Sequence, residues 1–447
     1  MRALTLSGLL VGLAAVAAGW ARPGSQEAEI FPFDYEKLVL DNGFTAYLVE
    51  GGAPGQIAYV SMVRTGSRDE VEPGRSGYAH FFEHMMFRGT EKYPDYDEMT
   101  AGMGAARNAF TSNDMTVYYL VVASDYLEQV VDLESDRFRN LSYMEPDFRT
   151  EAGAILGEYS QGRLTPFRYL DEAVRATAFD THTYRHTTIG FEDDIRAMPE
   201  GYDYSLSFYD RFYRPENVVL AIAGDFDTER AKALIEQYYG DWERGYVPPE
   251  VEPEPPQTAP RDSVVAYPAR TLPILSINYR APAWSATDTM AVALEVLGRA
   301  AFGSNSDLYR ELVIRDRRVQ YLSAGFGLAR DPALVDLTTM VSDPADVDAV
   351  RDRILEEVGR FRAELVDAEK LEATKSNMKY GFLMSLENAQ DIAFSLIGFV
   401  INTGGIEAVE TYYRTLDAVT PEHLREAARR FLVPEGRTTV TLVQAEG

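Results

Sequence analysis

The run Gly77–Thr90 reads Gly-Tyr-Ala-His-Phe-Phe-Glu-His-Met-Met-Phe-Arg-Gly-Thr and limits the folding choices of this chain more than any other stretch. It has the pattern of an apolar helix closed by Gly89. On a helix, His80 and His84 are four residues apart and project from one face, one turn from each other. Glu83 precedes His84. A carboxylate and two imidazoles among Phe, Met, Ala and Tyr are costly unless paired, hydrogen-bonded or bound to a metal. Two imidazoles so spaced can hold one metal ion, and Glu83 can reach its open side and act on a water. The bland alternative is a helix with two accidental histidines. The spacing H-x-x-E-H arises by chance in about one chain in a hundred of this length.

The rest of the composition narrows the chemistry. The chain has 447 residues and no cysteine, so thiolate metal sites, disulfides and cysteine nucleophiles are excluded. It has five histidines, His80, His84, His182, His186 and His423. The formal charge of −27 argues against nucleic acid or an anionic membrane as partner, and most simply reflects a solvated acidic surface. Residues 1–21 have the form of a secretory signal: Arg2, an uncharged stretch to Trp20, and a small-x-small ending at Ala21. An uncleaved anchor is the rival for that segment. The expectation is export to the periplasm or the medium, with no stable membrane insertion.

Periodicity predicts an α+β protein. A hairpin is expected around Asp41-Asn42-Gly43, and strands over 57–63, 105–111, 116–122 and 218–223. Helices are expected over 126–139, 145–162, 202–212 and 228–239. The stretch V-P-P-E-V-E-P-E-P-P-Q-T-A-P at 247–260 is a stiff linker. It separates a metal-bearing domain (30–246) from a metal-free one (261–447). The second part predicts strands at 264–267, 275–279 and 437–443, and helices at 287–300, 308–313, 349–365, 368–384 and 421–431. Arg211-Phe212-Tyr213-Arg214-Pro215-Glu216 and Arg430-Phe431-Leu432-Val433-Pro434-Glu435 each precede a strand near the end of their half, which suggests duplication.

A catalytic zinc needs a third protein ligand. His182 and His186 sit in a Thr-rich loop with no glutamate in the base position, so a structural or surface role is expected for them. Glu151 and Glu158, seven apart on one helix face, are better placed. The motif and its surroundings resemble the signature of the pitrilysin, insulinase and mitochondrial processing peptidase superfamily, which has this inverted-zincin order. The resemblance extends through Leu40-Asp41-Asn42-Gly43, Tyr213-Arg214-Pro215-Glu216-Asn217 and Ala223-Gly224-Asp225. It implies Glu158 as third zinc ligand and Glu151 as the carboxylate that orients the site, with Glu83 as catalytic base. It implies an edge strand at Asn108, Ala109 and Phe110 that binds extended substrate. It also implies two homologous domains forming a half-clamshell, each a largely antiparallel sheet packed with helices.

One departure from the family stands out. Its second domain usually carries an arginine and a tyrosine seven apart that hold substrate. Here Tyr321 is present, but the arginine position is occupied by Val313 or Ile314, with Arg315, Arg317 and Arg318 nearby. In heterodimeric members the metal and the arginine–tyrosine pair lie on different subunits. The resemblance thus implies one zinc ion per chain and cleavage of short or unfolded peptides. It also implies a second subunit that supplies the missing pair, or a homodimer. The rivals are a non-catalytic scaffold of the same fold and a narrow peptide-maturation protease.

Overall fold

The computed structural model describes residues 30–52 and 54–445. The segment 1–21 lies outside them. Two sheets share one design. The first orders its strands β1-β2-β6-β3-β5-β4, from β1 (Tyr35–Val39), β2 (Thr45–Glu50), β3 (Gln56–Val63), β4 (Ala106–Thr111), β5 (Thr116–Ala123) and β6 (Val218–Gly224). The second orders β7-β11-β8-β10-β9, from β7 (Arg261–Tyr267), β8 (Ile274–Arg280), β9 (Val319–Phe326), β10 (Leu334–Val341) and β11 (Arg437–Gln444). Leave out β1 and the two orders coincide strand for strand. No helix or strand occupies 242–260 between the sheets.

The expected hairpin forms, with Gly43 at φ 88° in its turn and β1 antiparallel to β2. The sheets are largely antiparallel, as expected, with one parallel pair in each. In each half the last strand returns to lie parallel to an early one, β6 on β2 and β11 on β7, and antiparallel to the next, β3 and β8.

The halves exchange helices, a feature absent from the sequence-based expectation. Helix α1 (Tyr78–Met85) bears the motif, and α2 (Glu145–Gly162) follows it. Next comes α3 (Pro166–Ala178), which packs across β7, β8 and β11 of the second sheet. In return α4 (Ala389–Thr403), from the second half, packs on β3 and β6 of the first. One apolar core therefore runs through both halves, joining Val60, Met62 and Ala221 to Leu396, Val400 and Ile277. A polar seam runs beside it. Glu254 accepts the backbone N–H groups of Asp180, Thr181 and His182 and pairs with Arg280 at 3.0 Å. Arg68 and His182 share Asp331, at 2.5 and 2.9 Å.

The segment expected to be helical at 308–313 is a short α-turn continued as a π-helix over Arg310–Arg315. Among the described residues no single helix is long and apolar enough to cross a membrane.

Candidate metal centre

The motif helix is fixed at both ends. Gly77 takes φ 92°, and the buried carboxylate of Glu70 accepts the N–H groups of Gly77 and Ala79, both at 2.7 Å. Beyond the helix, Gly89 (φ 97°) turns the chain where a Cβ would meet the Tyr93 carbonyl. Phe81, Phe82 and Met85 face the core. Phe82 stacks on Phe208, and Phe81 packs against Phe148 of α2 with ring centres 4.9 Å apart. That last contact sets α2 beside α1, three residues before Glu151.

The polar faces of the two helices meet. Glu158 Oε2 lies 3.6 Å from His80 Nε2 and 3.4 Å from His84 Nε2. Ligand atoms of the three residues all lie within 4.8 Å of one another. Tetrahedral coordination with bonds of about 2.0–2.1 Å separates its ligands by about 3.3 Å, so this trio fits a zinc ion. Its donor set, two imidazoles and a carboxylate, is also that of catalytic zinc sites. On its other ring nitrogen, Nδ1, His84 bonds Glu151 at 2.9 Å, and Arg88 donates to the second oxygen of Glu151. A histidine ligand held from behind by a carboxylate is the usual arrangement.

Charge distinguishes the two imidazoles. Burial lowers the His80 pKa to about 4, which leaves the ring neutral and able to ligate. Burial also pulls His84 down, but its hydrogen bonds to Glu151 and Glu158 prevail and raise it to about 9. A cation entering here must displace that proton. Glu83 hydrogen-bonds Thr111, which donates its hydroxyl to Oε2 at 2.6 Å, and burial raises the Glu83 pKa. Glu83, His84, Glu151 and exposed Asn108 line one groove. Ala109 is buried in an apolar cluster of the first half, with Phe81 and Phe82 of α1, and Phe110 faces Phe394 of α4. Among the described residues the edge of β4 away from β5 is unpaired.

The structure groups Glu83, Glu151, His80, His84, Glu158 and Asn108 around this groove. Tyr321 is on β9 of the other sheet, its hydroxyl buried and bonded to nothing among the described residues. Arg315 is engaged with Asp316 at 2.6 Å, Arg317 takes a left-handed φ of 51°, and Arg318 lines a separate surface cavity with Glu311 and Asp352. His182 and His186 are both buried, bonded to Asp331 and to the Thr187 carbonyl respectively.

Sequence reasoning overlooked three neighbours. Thr111 and Arg88 hold Glu83 and Glu151, and both lie within or beside the quoted motifs. The third is Arg168 on α3. Its guanidinium packs over Gly162, one helical turn beyond Glu158, and hydrogen-bonds nothing among the described residues. Nothing in the local sequence separates it from Arg163, which is paired with Glu192 and Glu172.

Comparison with known proteins finds relatives along most of the chain. The family description "Insulinase (Peptidase family M16)" matches residues 49–191, and "Peptidase M16 inactive domain" matches 202–378. The chain belongs to peptidase family M16. The motif falls in the first match, and the second match carries no H-x-x-E-H. The zinc protease PqqE of Helicobacter pylori is 25% identical over 431 residues, covering 94% of this chain and 95% of that protein. The crystal structure of a protease from Helicobacter pylori superposes with a TM-score of 0.86 at 24% identity, covering 92% of this chain and 99% of that one. The periplasmic protease PqqL from Escherichia coli superposes at 0.76 and 20% identity, over 93% of this chain but 48% of that one.

Proposed function

We propose that this chain is a zinc-dependent endopeptidase for short or unfolded peptides, acting as the metal-bearing member of a pair. The reading is carried by the convergence of His80, His84 and Glu158 with Glu83 beside them. The three would hold the ion, and Glu151 keeps the His84 ring in place. Bound there, zinc supplies Lewis acidity and brings the pKa of a water towards neutrality. Glu83 takes the proton of the attacking water and passes it to the leaving amine. Burial of Glu83 strengthens it as a base, and Thr111 holds its carboxylate in place through both its hydroxyl and its backbone N–H. Substrate would lie extended along the free edge of β4. There Asn108 offers its side chain, while Ala109 and Phe110 offer backbone groups.

Pairing draws support from the Escherichia coli protease, a single chain about half of which aligns with this one. A different subunit would bring the arginine–tyrosine pair whose arginine Val313 and Ile314 do not provide, whereas a pair of identical copies would act without that arginine. The signal-like residues 1–21 and the periplasmic location named for that protease support a periplasmic or extracellular site of action. The test is metal analysis of the purified chain, with cleavage of a random peptide pool before and after chelation. Zinc near one per chain and chelator-sensitive cleavage are expected. Full activity of a monomer would overturn the pairing, and chelator-insensitive cleavage would overturn the zinc mechanism.

A further inference from the structure

A cavity of about 430 Å³ opens between α3, the face of the second sheet beneath it and the β4–β5 turn at Asn113. The matching place on the first sheet is filled. There Ala58, Val60 and Met62 of β3 and Val117, Tyr119 and Val121 of β5 meet α4, with Phe394 edge-on to Tyr119 at 4.8 Å. On the second sheet the corresponding positions of β8 and β10 include Ser276, Asn278, Asp336 and Thr338. A polar floor inside a domain is costly unless its groups are satisfied. Ser276 and Asn278 satisfy each other, and Asn278 also donates to the Thr438 carbonyl.

Asp336 is the exception. Among the described residues its carboxylate is bonded by its own backbone N–H alone and is repelled by Asp171, and burial raises its pKa to about 6. It remains mostly ionised at neutral pH. Room for it is made by Gly325 on the adjacent strand, where a Cβ would come within 2.4 Å of Asp336 Oδ1. Among the described residues the cavity wall holds one cation, Arg175, and it is already engaged. Asp171 accepts from it at 2.8 Å, and Asn113 Oδ1 and the carbonyls of Tyr184 and His186 surround its Nη1. The other walls, Leu170, Val174, Phe179 and Leu334, are apolar. The result is an apolar shaft with an uncompensated negative charge at its floor. A guanidinium or ammonium on an aliphatic stem has the matching chemistry.

We infer that this cavity is a substrate subsite for the side chain of an arginine or lysine, with Asp336 as its counter-ion. The inference rests on the endopeptidase reading above and adds a specificity to it. Asn113 is two residues past Thr111, the residue bonded to Glu83. A strand advances about 3.3 Å per residue, so a peptide lying along β4 brings a side chain to the cavity mouth about two to four positions from the scissile bond.

Two measurements decide it. In the first, agmatine is titrated calorimetrically into the zinc-loaded Glu83→Gln chain. Saturable binding is expected, weakened ~10-fold or more by Asp336→Asn, as loss of a charge-assisted pair implies. No binding, or equal binding to both chains, overturns the inference. In the second, peptides carrying arginine at successive positions are compared with citrulline twins. The ratio of kcat/KM for the twins should reach ~10 or more at one position, fall towards one in Asp336→Asn and be partly kept in Asp336→Glu. A ratio near one at every position in the unaltered chain also overturns it. Failure of the zinc-loaded chain to cleave any peptide would count against the endopeptidase reading instead, and the agmatine titration would still decide the subsite.

Discussion

The two halves repeat one strand order and one crossing helix, yet their polar groups lie in different places. In the first half the helix after the third strand, α1, carries His80, Glu83 and His84 on one side and Phe81, Phe82 and Met85 on the other. Its counterpart after β8, Thr289–Phe302, is buried nearly all round, with Ala291, Leu294, Val296, Leu297 and Ala301 in the core. Beneath the crossing helices the pattern inverts: the first sheet is apolar and filled, the second polar and open. The shared design is the parallel closing strand and the exchanged helix. The chemistry is grafted on separately, so a shared fold says little about which half is active.

The sharpest way to break this contrast is Glu83→Gln. If all chemistry resides in the first half, kcat should fall by ~10³-fold or more while zinc content stays at the unaltered level, the scale expected for loss of a general base. A loss under tenfold would mean that another group takes the proton. The contrast in packing is tested next. Phe394→Ala, in the filled floor of the first sheet, should cost about 3 kcal/mol in denaturant unfolding. Phe167→Ala, half-exposed at the open cavity of the second, should cost less than about 1 kcal/mol. Equal costs would mean that the second floor is as tightly packed as the first. A smaller effect is expected for Glu151→Gln. It leaves the three ligand side chains in place but weakens the hold on His84, so zinc affinity in a competitive chelator titration should drop ~10–100-fold.

The sequence disclosed what is local. The H-x-x-E-H spacing, Gly77 and Gly89 around the helix, and the seven-residue step from Glu151 to Glu158 are all short-range features, and the structure brings these side chains together. The helix exchange was hidden. Residues 389–403 run Ala-Gln-Asp-Ile-Ala-Phe-Ser-Leu-Ile-Gly-Phe-Val-Ile-Asn-Thr, and α4 is buried on most sides, so little polar face remains to give its period away. Even a recognised helix would not have revealed that its partner sheet begins more than 300 residues earlier. β10 shows a similar gap. Its Leu-Val-Asp-Leu-Thr-Thr-Met-Val alternates, but Asp336 and Thr338 on one face make that face look solvated, whereas it floors a cavity beneath α3. Arg168 was hidden for another reason: its neighbour Glu158 is on a different helix, and only the turn at Gly162 brings them together.

The last difference between the halves has a sign that pH can read. Asp336 holds its proton more tightly in the folded chain, at about 6, than the ordinary value of 3.8. Between those values the folded state binds more protons than the unfolded one, so stability falls as pH rises through that window. Above about 6 the whole cost of the buried charge is present, about 2 kcal/mol once its partial exposure is discounted. Asp336→Asn keeps the shape and removes the charge. It should therefore raise the melting temperature at pH 7.5 by a few degrees and leave it nearly unchanged at pH 4, where Asp336 is already neutral when folded. The filled floor of the first sheet has no such group, so Val60→Thr there should destabilise the chain equally at both pH values. A melting temperature that does not respond to Asp336→Asn at pH 7.5 would mean that the carboxylate is fully solvated, and the two floors would then differ in shape alone.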